Sequence, residues 1–121
     1  MLKNRSLRLA ALLSAALGLA PSALAAAETP QVGTPYVFET VDSYLVATHS
    51  RIEVTGILQG ESAPRTLFFS YNLSTTAFDV GQHVARCDRL ALLAMNKPGL
   101  YLLTMVQNGS TFAPTCRLTR R

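Results

Sequence analysis

Residues 78–106, FDVGQHVARCDRLALLAMNKPGLYLLTMV, decide the fold because they read as a helix, a stop and a strand in succession. Residues 80–95 are dominated by Ala, Leu, Met, Arg and Gln, which lose little side-chain freedom in a helix. Asp79 stands where an N-cap is needed. At 100° per residue, Val84, Cys87, Leu90, Ala91, Ala94 and Met95 form one apolar stripe, with Gln82, Arg86 and Arg89 opposite. Asn96-Lys97-Pro98-Gly99 ends the helix, since proline lacks the N–H of the helical ladder and glycine tolerates positive φ. Residues 100–106 are apolar on both faces, as suits a strand in the middle of a sheet with one face under the helix. A competing reading makes residues 89–95 a strand and Lys97-Pro98-Gly99 a hairpin corner, because Pro-Gly also suits a type II turn.

Beyond this stretch, Asn108-Gly109 signals a hairpin, and residues 112–119 return as a strand with Phe112, Pro114, Cys116 and Leu118 on one face. Pro114 confines that strand to an edge or makes it start late. Upstream, residues 51–59 alternate, with Ile52, Val54 and Leu58 on one face, and Gly56 marks a bulge or sharp bend. Residues 60–64 form a loop and residues 65–73 resume as a strand with Leu67, Phe69 and Tyr71 inward, so the two make a hairpin. The pieces YVFET at 36–40 and SYLVATH at 43–49 are each strand-like. Ser74-Thr75-Thr76 is a polar connector, and Ala77-Phe78 reads as a short strand before the helix.

The start of the chain carries Lys3, Arg5 and Arg8, then the apolar run 9–20, then Pro21-Ser22-Ala23-Leu24-Ala25. Residues 1–25 are therefore expected to be a secretory signal peptide, too short in its apolar run to span a bilayer. Residues 26–35, with Pro30, Gly33 and Pro35, are expected to be a flexible lead-in, and residues 36–121 a single small globular domain. The localisation implied is export, to a periplasm or the outside of a bacterial cell. No later stretch is long and apolar enough to be a transmembrane segment.

Three of the eleven Lys and Arg belong to the signal segment, so eight face seven acids in the remainder. That near balance carries no strong nucleic-acid signal. Two cysteines in an exported chain allow one intramolecular disulfide, Cys87 to Cys116, which by chain entropy contributes about 3.5 kcal/mol. Together the pattern is α+β: a small antiparallel β-sheet, or a five-stranded OB-like barrel, with one helix in the order β-β-β-α-β-β and one disulfide. The likeness to an OB-fold is topological and brings no sequence motif with it.

No catalytic or ligand-binding signature is spelled out. His83 lies four residues after Asp79, within reach on a helix, so one reading is an oriented general base, as a small hydrolase would use; the capping role of Asp79 accounts for the same pair. His49 reads as a strand-end residue. No histidine or carboxylate pair recurs at ligand spacing, so no metal or other cofactor is expected. Phe68 is a large aromatic on an otherwise polar strand face, and with Tyr71 and Tyr101 it is a candidate ligand surface. Arg86 and Arg89 around Cys87, with Arg117 after Cys116, could form an anion site if the disulfide draws them together. The function expected is that of an exported small binding or protein-interaction module, its partner an unknown protein or small ligand.

Overall fold

The computed structural model describes residues 26–48, 50–72, 79–109 and 113–121. The expected signal peptide, His49, the connector expected at 74–76, the short strand expected at 77–78 and Phe112 lie outside the described residues. The chain forms β1 (Pro35–Phe38), β2 (Ser43–Ala47), β3 (Arg51–Ile57), β4 (Pro64–Ser70), α1 (Val80–Asn96), β5 (Tyr101–Val106) and β6 (Thr115–Arg120). Both early β-rich pieces are strands, so the order is β-β-β-β-α-β-β rather than the five-stranded pattern expected. Two antiparallel three-stranded sheets result, β2-β3-β4 and β1-β5-β6. Among the described residues, no helix is long and apolar enough to cross a membrane.

The sheets meet at two places without closing a barrel. Along one seam, Phe38 bridges Leu58, Gln59 N–H donates to Val37 O at 2.8 Å and Glu39 N–H to Ile57 O at 2.7 Å. Along the other, no backbone ladder joins β4 to β5. Gln107 takes its place: its side-chain oxygen accepts from Ser70 N–H at 2.8 Å and its amide donates to Ser70 O at 3.0 Å. A buried carboxamide thereby satisfies the β4 end as a neighbouring strand would, but for one residue only. The N-terminal segment runs along the same seam. Glu28 bridges Leu67, Val32 bridges Gln107, and Gly33 N–H donates to Gln107 O at 2.8 Å. Arg65 holds the Glu28 carboxylate in an ion pair that keeps its pKa below the ordinary range.

Phe38, Ile52, Val54, Leu67, Phe69, Leu103 and Met105 are fully buried between the sheets and the helix. Each such side chain contributes about 1.5–3 kcal/mol by leaving water. Asp79 caps α1, its carboxylate accepting from Gln82 N–H at 3.0 Å. Val80, Val84, Cys87, Ala91 and Ala94 form the buried stripe. Met95, expected on that stripe, is exposed. It stands about 80° round the helix from Cys87, outside a stripe roughly 100° wide.

β5 is the central strand of its sheet, and β6 is an edge that starts one residue after Pro114. Val106 pairs with Thr115, so the connection holds residues 107–114 and is not a tight Asn-Gly turn. Asn108 spans it instead, its side-chain amide donating to Ala113 O at 2.8 Å and Thr115 Oγ1 at 3.0 Å. The β3–β4 register runs unbroken through Gly56 and Arg65, so Gly56 makes no bulge. Its glycine is required by close backbone approach, because the Thr40 carbonyl lies where a Cβ would sit.

Tyr44, on β2, faces Asp88 on α1, and burial, followed by the Asp88 charge, pushes its phenol far above the ordinary value of about 10. Above that pH the unfolded chain ionises its Tyr44 while the folded chain does not. With the folded pKa raised, the stability it contributes is complete below the unfolded pKa and is lost as pH rises past it. Urea midpoints should therefore fall between pH 9 and 11, and more steeply in the native protein than in Tyr44→Phe. Equal slopes would remove Tyr44 as a cause.

Candidate functional site

The disulfide region is built from the middle of α1 and the start of β6. Cys87, on the buried stripe, bonds Cys116 with their Cα atoms 5.6 Å apart, as expected from the two inward faces. His83 lies one turn before Cys87 on the same helix face. Its Nε2–H donates to the carbonyl of Pro114 at 2.6 Å, so the beginning of β6 is held to the helix by a polar tie at Pro114 and a covalent one at Cys116. A carbonyl only accepts, which places a proton on Nε2.

An open cleft of about 480 Å³ runs beside the disulfide, lined by His83, Arg86, Cys87, Arg89, Leu90 and Cys116. Arg86 and Arg89 leave α1 on the side away from Cys87, yet the reach of an arginine carries both side chains to the cleft's wall. An adjoining hollow of about 250 Å³, lined by Gln82, Ala85, Arg86 and Arg89, shares the two arginines. The ion pairs among the described residues involve Arg51, Arg65 and Arg121 and leave out Arg86 and Arg89. The cleft thus offers two exposed guanidinium groups next to an apolar wall of Leu90 and the disulfide. Such forks bind carboxylate or phosphate in pairs of hydrogen bonds.

The other residues singled out in the sequence are spread apart. Phe68 is on the outer face of β4, where the Arg51 guanidinium lies 3.8 Å over its ring and pairs with Glu53 at 2.9 Å. Tyr71, just beyond β4, packs on the core instead, its N–H donating to Ser50 O at 3.0 Å. Tyr101 opens β5 in the other sheet, opposite Arg120. Arg117 is exposed on β6, on the face away from Cys116. Asp79 and His83 are adjacent in the first turn, but the Asp79 carboxylate caps Gln82 N–H while His83 Nε2 faces Pro114.

A further cleft of about 260 Å³, between β1 and the β3–β4 loop, is lined by Tyr36, Gln59, Glu61 and Arg65 among others. Its one cation is neutralised by Glu28 and by Glu61 at 3.0 Å.

Sequence reasoning missed His83 as a neighbour of the disulfide. The signal was present as His-x-x-x-Cys, a four-residue spacing that stacks both side chains on one helix face. No family model, curated protein or solved structure matches the chain.

Proposed function

We propose that the protein is an exported binding module whose cleft beside Cys87–Cys116 takes an organic anion, a carboxylate or phosphate carried on an apolar body. The observation that carries this reading is the pair Arg86 and Arg89, exposed on α1 at a cleft whose remaining wall is largely apolar. Export is supported by the basic-then-apolar character of residues 1–25 and agrees with a cross-link that persists in oxidising compartments. A rigid, covalently tied wall also lowers the ordering cost of binding.

The test is a titration of the oxidised domain with benzoate and with phenyl phosphate, followed by backbone NMR shifts. Shifts should centre on residues 83–90 and 114–117, and Arg86→Gln/Arg89→Gln should weaken binding by about tenfold or more while changing stability by less than about 0.5 kcal/mol. Shifts centred elsewhere, or undiminished affinity in the double variant, would sink the reading.

A further inference from the structure

We infer that reduction of the Cys87–Cys116 bond turns this region into a Cys2His site for a thiophilic d10 metal ion, Zn(II) or Cu(I). The anion reading concerns the oxidised protein, and neither depends on the other.

His83 and Cys87 stand four residues apart on one face of α1, the spacing by which a helix presents two ligands to one ion. β6 supplies the third from across the interface. One ligand atom from each of His83, Cys87 and Cys116 lies within 4.8 Å of the others. Donors around a tetrahedral zinc, at about 2.3 Å for sulfur and 2.0–2.1 Å for nitrogen, sit roughly 3.3–3.8 Å from one another. Rotation about the cysteine χ1 angles covers that difference, and the backbone separation of 5.6 Å between the Cα atoms need not change.

The hydrogen bond to Pro114 does what an outer partner does for a ligating histidine: it fixes the ring and its tautomer. The adjoining cleft gives the ion a way in and leaves a fourth position for solvent or for a ligand.

The chemistry balances in two steps. The disulfide takes two electrons and two protons from a dithiol donor, which becomes a disulfide itself, and yields two thiols. The ion, Zn(II) or Cu(I), then binds both sulfurs and the imidazole and displaces the two thiol protons to solvent. While the sulfurs are bonded to each other no thiolate exists, so the metal and the disulfide are alternatives.

The experiment uses the domain reduced with a phosphine under argon and titrated with Co(II), then with Zn(II). The expected result is one equivalent of cobalt with an intense near-ultraviolet sulfur-to-metal band and tetrahedral visible bands, both abolished by one equivalent of zinc. The oxidised protein should give neither. His83→Ala should keep the sulfur band, shift the visible bands, and lose at least about tenfold in affinity. Circular dichroism on the reduced domain separates folding from binding, since zinc should raise its melting temperature or refold it. Reduced protein that binds no cobalt, that stays unfolded in excess zinc, or whose cobalt spectrum and affinity are unchanged by His83→Ala would overturn the proposal.

Discussion

Gly56→Ala is expected to cost at least about 3 kcal/mol and to leave much of the protein unfolded at ambient temperature. A Cβ built on Gly56 would lie 1.9 Å from the Thr40 carbonyl oxygen, 2.8 Å from its carbon and 3.2 Å from Phe38 Cδ1. The first two are backbone atoms, and the backbone there has no room to retreat. Glu39 N–H donates to Ile57 O at 2.7 Å, Ile57 N–H to Thr40 Oγ1 at 2.9 Å, and Asp42 N–H to Thr55 O at 2.7 Å. Moving Thr40 away sacrifices bonds worth about 1 kcal/mol each, at a seam where the two sheets meet. Gly81→Ala is the matched control. In the first turn of α1 its nearest neighbour would be Asp79 Oδ1 at 3.4 Å, and alanine there should stabilise by about 0.5–1 kcal/mol. Urea denaturation of the two variants beside the native chain decides the matter. A Gly56→Ala loss below about 1 kcal/mol would mean that the crossing at Thr40 is not as close as described.

Removing the disulfide with Cys87→Ala/Cys116→Ala should cost about 3.5 kcal/mol, because it frees a closed loop with a sequence separation of 29 residues. Most of that loss is expected to appear as local opening before global unfolding. β6 is an edge strand, paired only with β5 in its sheet, and beyond that sheet the disulfide and the His83–Pro114 bond are its ties to α1. Hydrogen exchange should therefore show β6 and the cysteine-bearing turn of α1 losing protection well ahead of β3, whose both edges are paired. Uniform loss of protection across both sheets would show instead that the bridge acts on the whole domain through the unfolded chain alone.

Several features of the fold were legible because their causes are local. Asp79 at the N-cap, the helix-forming composition of residues 80–95 and the Pro98-Gly99 stop all act within one or two turns, and α1 begins and ends with them. The hairpin alternative for residues 89–95 fails since those residues complete the helix. Pro114 announced an edge strand that starts late because a missing N–H cannot serve a ladder on that side. The pairing of Cys87 with Cys116 followed from two thiols on two inward faces.

The candidate site was legible only in part. Arg86, Arg89 and the cysteines were visible as a cluster, but helix periodicity set the arginines against Cys87, whereas long side chains bring them to one cleft. Phe68 was visible as an anomaly, but Arg51 stacking on its ring depends on strand pairing that no local pattern states.

By itself, then, the sequence determined the α+β class with a single helix ahead of the last two strands, the cap and stop of α1, and the one covalent cross-link open to it. Each of these is set by backbone preference, side-chain period or the count of a residue type, and acts over short distances. Tertiary structure alone decided that the sheets would not close, that Gln107 would stand in for a strand beside Ser70, that Gly56 would receive the Thr40 carbonyl, and that His83 would meet Pro114. These contacts join residues separated by 16 to 37 positions, and nothing in the local pattern distinguishes them from other pairings of the same polar groups. They are selected only when two sheets and a helix bury one shared core and every polar group left at the seams must find a partner.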